Sequence, residues 1–260
     1  MSDTNANVWN PKQYDRFRDE RSRPFYDLLA LVQRAAEMRV VDLGCGTGAL
    51  TKHLHVDLSA KETHGIDSSA SMLAKAKEQA APGLSFAAGD LETWNEPGAW
   101  DLVLSNAALH WAGDHASLLA RLAGSLTARG QLAVQVPANH DHVSHAMAAE
   151  VARESPFREA TLGFERVSPV LAPEAYAKIL EGLGFREQHV RLQVYGHHLG
   201  SRDDVVEWMK GTTLTDYQRR MAPEMFTSFV ARYRARLLPE LEDTRPYFFP
   251  FKRILFWGAR

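Results

Sequence analysis

The stretch Arg39-Val40-Val41-Asp42-Leu43-Gly44-Cys45-Gly46-Thr47-Gly48-Ala49-Leu50 decides how this chain is read. Arg39–Leu43 reads as a buried strand and Leu50–His55 opens a helix. The glycines therefore occupy a strand–turn–helix corner, the setting that a nucleotide-binding turn requires. Glycines at 44, 46 and 48 permit positive φ and let a ligand lie against the backbone. Spacing alone does not choose the ligand, because Gly44-x-Gly46-x-x-Ala49 also satisfies the relaxed dinucleotide fingerprint.

The acidic residues around the turn separate the two readings. A dinucleotide brings a pyrophosphate, which seeks bare N–H groups at a helix N-terminus. Asp42, just before the glycines, repels a pyrophosphate and favours a cationic amino-acid group. Asp67 ends the second strand, Thr63–Asp67, where it can accept from both hydroxyls of a ribose. Ser68 and Met72 follow, the latter placed to pack on an adenine face. Gly89-Asp90-Leu91 closes the third strand, Leu84–Ala88, with a carboxylate suited to an adenine amino group. Three acids at successive strand ends point to S-adenosyl-L-methionine, which carries a sulfonium and an ammonium but no phosphate, rather than to a nicotinamide dinucleotide.

Outward from this core, strands and helices alternate: a helix over Ser71–Gln79, a fourth strand at Trp100–Ser105, a helix over Ala116–Leu126 and a fifth strand at Gly130–Val136. Short apolar runs alternating with helical periods predict an α/β fold with a parallel sheet covered on both faces. Phe25–Ala36 reads as a leading helix, Pro173–Leu183 as a helix capped by Gly184, and Glu187–Gly196 as a strand. Ser201–Leu238 reads as wholly helical, capped by Ser201, and Phe248–Gly258 as a terminal strand. The chain is expected to be a single domain, 1–260: a covering segment and helix over 1–36, a cofactor-binding core over 37–137 and a helical cap over 200–245.

Bulk properties narrow the partners. The 260 residues carry 30 basic and 32 acidic side chains, a net charge of −2, which suits neither nucleic acid nor an anionic membrane surface. No apolar run reaches the ~20 residues of a membrane span. The N-terminus is polar and Cys45 is the one cysteine, so a cytoplasmic setting without disulfides is expected. His140, His142 and His145 lack a partnering cysteine cluster, and no metal is expected. Cys45 reads as a small residue under the loop. Arg232, Arg234 and Arg236 read as a solvated helix face, and Met221, Met225, Phe226 and Phe229 as core or lid packing.

Asp42–Gly48, Asp67, Gly89-Asp90 and the segment Trp100–Trp111 (WDLVLSNAALHW) resemble the successive motifs of class I methyltransferases. Trp9-Asn10-Pro11 with Tyr14, Glu20–Pro24, Asn106–Trp111, Val134–Asn139, Trp208 with Gly211-Thr212, and Phe249–Phe251 extend the resemblance to the trans-aconitate 2-methyltransferases. It implies a Rossmann-like, seven-stranded, mostly parallel sheet with a helical cap inserted before the last strand. It implies S-adenosyl-L-methionine as cofactor, S-adenosyl-L-homocysteine as product, and esterification of a small organic acid. The chain departs from that family at Thr215-Asp216, where relatives commonly carry Arg-Pro, and at His110, where glutamine also occurs.

A carboxylate acceptor is ionised at pH 7 and needs no general base, so alignment and charge placement do the work. The expected cofactor residues are Asp42, Gly44, Gly46, Gly48, Asp67, Ser68, Met72, Asp90, Leu91 and Asn106. His110 and Trp111 are the expected catalytic pair beside the transferred methyl. Tyr14, Arg21, Arg23, His110 and Trp208 are expected on the acceptor, with arginine favoured for its bidentate fork. Two other readings stay open: O-methylation of a hydroxyl or phenol with His110 as base, and a non-catalytic S-adenosylmethionine-binding protein.

Overall fold

The computed structural model describes the backbone from Arg18 onward and the side chains from Ser22 onward. Tyr14 and the Trp9-Asn10-Pro11 motif lie outside the described residues, as does the side chain of Arg21. The described elements run α1 (Arg18–Leu29), β1 (Arg39–Leu43), α2 (Ala49–Asp57), β2 (Glu62–Asp67), α3 (Ala70–Ala76), β3 (Leu84–Ala88), β4 (Trp100–Asn106), α4 (His115–Gly124) and β5 (Leu126–Pro137). They continue with α5 (Val143–Ala152), α6 (Phe157–Ala160), α7 (Pro173–Gly182), β6 (Glu187–Leu199), α8 (Asp203–Lys210), α9 (Thr215–Gln218), α10 (Pro223–Leu237) and β7 (Tyr247–Ala259).

The seven strands form one sheet in the order β3-β2-β1-β4-β5-β7-β6. Strands β1 to β5 pair in parallel, and β7 runs antiparallel to β5. Val40, Val41, Leu43, Leu102, Val103 and Leu104 are each fully buried, because helices cover both faces of the parallel part. The strand order reverses between β1 and β4, and the crevice outside their C-terminal ends is where open α/β sheets bind ligands.

Contacts divide the chain into two compact units. One takes residues 21–137, 169–193 and 253–260 and holds β1 to β5, the first part of β6 and the last part of β7. The other includes 138–168 and 194–252, so the segment expected as a cap over 200–245 belongs to a larger body. That body has its own core, where Met147, Val151, Trp208, Phe229, Tyr233 and Phe249 are buried together.

Four local readings change, each for a visible reason. The leading helix ends at Leu29 instead of Ala36, because the Gln131 side chain on β5 grips the backbone of Gln33: Gln33 N–H donates to Gln131 Oε1 at 2.8 Å and Gln131 Nε2 donates to Gln33 O at 2.7 Å. The helical block breaks into α8, α9 and α10, with Gly211 ending the first and Pro223 opening the third. Ser201 makes no side-chain cap; its N–H instead donates to Asp204 Oδ2 at 3.2 Å. Helix α5 went unread because its N-cap is His142, whose ring nitrogen accepts from Ser144 N–H at 3.2 Å. Histidine is outside the usual capping set.

Trp208, expected on the acceptor, is 1% exposed. Its ring lies 5.7 Å from that of Phe249 and 5.5 Å from that of Phe251, so it packs as core. Trp208→Ala should cost about 3–5 kcal/mol of stability, read as a lower denaturation midpoint. The affinity for S-adenosylhomocysteine should stay unchanged under native conditions; selective loss of acceptor turnover in a protein of unaltered stability would return Trp208 to the site.

Candidate active site

The glycine turn is tied down by β2. Ile66 O accepts from Gly44 N–H at 2.7 Å and from Cys45 N–H at 3.1 Å. Asp67 then accepts from Gly46 N–H through Oδ2 and from Ser69 N–H through Oδ1, both at 2.8 Å. Three successive loop N–H groups are thus spent inside the protein, and a pyrophosphate would find none of them free. Gly44 has φ +82°, and a Cβ there would meet Ala108 Cβ at 2.2 Å, so only glycine lets the turn approach the segment after β4. At Gly46, φ +57°, a Cβ would meet nothing within 4 Å: the turn faces open space there.

Asp42 lies one step deeper, 4% exposed, with Oδ2 accepting from Thr51 Oγ1 at 2.6 Å. Burial raises its carboxyl from 3.8 to about 7; the Thr51 bond opposes this and the charge of Asp67 adds to it. Burial, with Asp42 and Asp67 nearby, drives the Cys45 thiol far above its usual range, so it is no nucleophile at neutral pH.

The segment after β4 closes the other side. Ser105 Oγ donates to Leu43 O at 2.7 Å, joining the ends of β4 and β1. Asn106 Oδ1 is buried and has no hydrogen-bond partner among the described residues. Ala107 follows with φ 55°, a strained value for a residue bearing a Cβ, of the kind stored at functional sites. A short 3₁₀ turn, Leu109–Trp111, then carries His110 and Trp111, both half-buried, with ring centroids 4.6 Å apart.

That turn has a support which sequence reading missed. Buried His115, at the start of α4, bonds Leu109 O through Nε2 at 2.9 Å and the Tyr176 hydroxyl through Nδ1 at 2.6 Å. Tyr176 OH accepts from Leu171 N–H at 3.2 Å. Because Leu109 O can only accept, His115 must carry its proton on Nε2, and Nδ1 receives the Tyr176 proton. Burial lowers the His115 pKa, which keeps this neutral tautomer in place. No short motif joins positions 109, 115, 171 and 176.

Comparison with known proteins agrees with this geometry. A methyltransferase-domain family model matches residues 40–130. The trans-aconitate 2-methyltransferase of Deinococcus radiodurans is 44% identical over 259 residues, covering 97% of this chain and 98% of the relative. That of Mycobacterium tuberculosis is 34% identical over 255 residues, covering 95% of each. The chain belongs to the trans-aconitate 2-methyltransferase family. Among solved structures, the YcgJ protein of Bacillus subtilis matches with a TM-score of 0.60 at 17% identity, covering 90% of this chain and 98% of that one. A Mesorhizobium loti S-adenosylmethionine-dependent methyltransferase matches with a TM-score of 0.53 at 21% identity, over 91% and 97%.

The protein is therefore an S-adenosylmethionine-dependent methyltransferase of class I fold, and its residues fit that cofactor. The spent loop N–H groups, the open space at Gly46 and the unmatched acceptor Asn106 Oδ1 suit a ligand rich in cationic donors and lacking phosphate. The structure brings Asp42, Gly44, Gly46, Gly48, Asp67 and Asn106 to the adjoining ends of β1, β2 and β4. Ser68 is exposed and Met72 is buried on α3, where Met72 N–H donates to Ser69 Oγ at 3.4 Å. Asp90 is exposed after β3, its Oδ1 accepting from Glu92 N–H at 2.8 Å, and Leu91 O accepts from Arg121 at 3.2 Å. Arg23 is exposed on α1. Among the described residues no metal-ligating cluster is assembled, and no helix is long and apolar enough to cross a membrane.

Removing the Asp67 carboxylate takes away the partner of Gly46 N–H and the acceptor expected to meet a ribose. Asp67→Ala should weaken S-adenosylhomocysteine binding by about 1.5–3 kcal/mol, measured by calorimetry; unchanged affinity would displace Asp67 from the site. Asp42 generates a pH prediction. Its native pKa of about 7 lies above the unfolded value of 3.8, so between these pH values the native state binds more protons. Its contribution to stability therefore falls as pH rises through that window. A cation bound beside Asp42 favours the ionised form, so S-adenosylmethionine affinity should climb from pH 6 to pH 8 and then level. Asp42→Asn should flatten the curve, and a flat wild-type curve would uncouple Asp42 from the ligand.

Proposed function

We propose that this enzyme esterifies a carboxylate of trans-aconitate or a close polycarboxylate analogue. The observation that carries the reading is the 44% identity, over nearly the whole of both chains, to a relative named for that substrate. When bound, S-adenosylmethionine supplies a methyl group on a sulfonium, which leaves as S-adenosylhomocysteine. Asp42 and Asn106 hold the ammonium end, Asp67 receives the ribose hydroxyls, and Ser68, Met72, Asp90 and Leu91 border the adenine. His110 and Trp111 wall the reacting centre, held there by His115 and Tyr176. Tyr14, Arg21 and Arg23 bind the acceptor's remaining charges. No residue has to remove a proton, since the attacking oxygen is already ionised at neutral pH.

Position 215 supplies no cation. Thr215 is 1% exposed and its hydroxyl donates to Thr212 O at 2.6 Å, while Asp216 pairs with Arg166 at 2.7 Å. Guanidinium groups elsewhere must meet the acceptor.

A labelled-methyl screen across carboxylic acids, phenols and amines should give a base-labile product from trans-aconitate or a near analogue. Its rate should show no base-like rise between pH 6.5 and 8.5. A phenol or alcohol product, with a rate that climbs with pH and is lost in His110→Ala, would replace the ester reading by the hydroxyl one. Arg21→Ala should lower kcat/KM at least tenfold, with cofactor affinity unchanged, and Arg21→Lys should restore only part because it lacks the bidentate fork. A silent Arg21→Ala would remove Arg21 from the acceptor site.

A further inference from the structure

The strand registers align five polar side chains across one face of the sheet. Asp42 pairs with Gly65 on β2 and with Leu104 on β4. Residues two apart share a face, so Asp67 and Asn106 point the same way as Asp42. Asn106 pairs with Gln135 on β5, and Pro137, two residues on, pairs with Arg253 on β7. In the order β2-β1-β4-β5-β7 the row reads Asp67, Asp42, Asn106, Gln135, Arg253: two carboxyls, two amides, one guanidinium. At about 4.8 Å per strand and about 3.4 Å per residue, Arg253, two strands across and two residues along, lies roughly 12 Å from Asn106.

The two central amides are complementary in what they lack. Asn106 Oδ1 is a buried acceptor without a donor, and Gln135 Nε2 is a buried donor without an acceptor, among the described residues. On the acidic side the gap suits a cationic N–H. On the basic side it suits an oxygen. Gln135 is fully buried, and its Oε1 accepts from Arg253 Nη1 at 3.4 Å, which leaves its NH₂ group on offer beside the guanidinium. Arg253 is itself only 4% exposed, so its charge acts through little water and attracts an anion strongly.

We propose that Arg253 and Gln135 bind a non-reacting carboxylate of the acceptor and so set the enzyme's preference for polycarboxylates. This deepens the carboxylate reading above and rests on it. The row would hold the cationic cofactor toward its acidic end and the anionic acceptor toward its basic end. It also supplies a guanidinium, which Thr215 does not. Sequence reading passed over Arg253 because it follows Lys252 in an otherwise apolar terminal strand and belongs to none of the family motifs, Phe249–Phe251 included.

The test compares trans-aconitate with the analogue in which a non-reacting carboxylate is replaced by a carboxamide. Arg253→Gln should lower kcat/KM for trans-aconitate by a hundredfold or more, chiefly through KM. The amide analogue, already poor for the wild type, should lose less than threefold, and S-adenosylhomocysteine affinity should stay within twofold. Equal losses for both acceptors, or none, would overturn the assignment, since a merely structural arginine is blind to the acceptor's charge. Should Arg253→Gln fail to bind S-adenosylhomocysteine, the near-isosteric Gln135→Glu carries the same comparison: a carboxylate placed beside Arg253 should penalise trans-aconitate and spare the amide. Equal losses there overturn the assignment too. A wild type that methylates no carboxylic acid strikes down the functional reading and this assignment with it; an active wild type with indiscriminate variants strikes down the assignment alone.

Discussion

Ile66 O and the Asp67 carboxylate between them accept the N–H groups of Gly44, Cys45 and Gly46, and the site's ligand preference depends on that tie. A glycine turn at a helix N-terminus is by default an anion trap. Here its donors face inward to β2, and what the turn presents outward is close-approach backbone ringed by carboxyls. The same tie draws the turn against Ala108, which is why Gly44 tolerates no Cβ. It also brings Asp67 near enough to Asp42 to help raise its pKa. One pair of acceptors at the end of β2 thus decides the chemistry of the first half of the crevice.

The second half depends on a different device. The turn bearing His110 and Trp111 is short, and Ala107 before it sits in a left-handed conformation that its own Cβ disfavours. Such a turn keeps its shape only if something outside it holds on. The Leu171–Tyr176–His115–Leu109 chain of hydrogen bonds does so, anchoring the turn to α4 and α7 with every buried polar atom of the chain engaged. Replacing one partner would leave a buried donor or acceptor exposed to the full desolvation penalty.

The unit of residues 138–168 and 194–252 is organised by an aromatic core, with ion pairs on its outside. Arg232 and Arg236 pair with Glu154, Arg236 also with Glu150, and Arg234 with Asp203. All are at least partly solvated, so each contributes little on its own. Their helix α10 is held by what it buries, Phe229, Tyr233 and Leu237. Tyr233 donates to Ser144 O at 2.9 Å and thereby fastens α10 to the start of α5.

The sequence by itself determined the α/β class, five parallel strands to within a few residues, the glycine turn and the acids beside it. These are legible because each rests on neighbours in the chain: apolar runs, glycine spacing, a carboxyl closing a strand. Only the tertiary structure decided where the first helix stops, since Gln131 ends it from 98 positions away. It likewise made Trp208 a core residue, turned the Thr215 hydroxyl back onto Thr212 O and set Arg253 on the same sheet face as Asn106. Each of these depends on strand register or on packing between distant segments. Register is a relation between residues far apart in the chain, and local patterns carry no record of it.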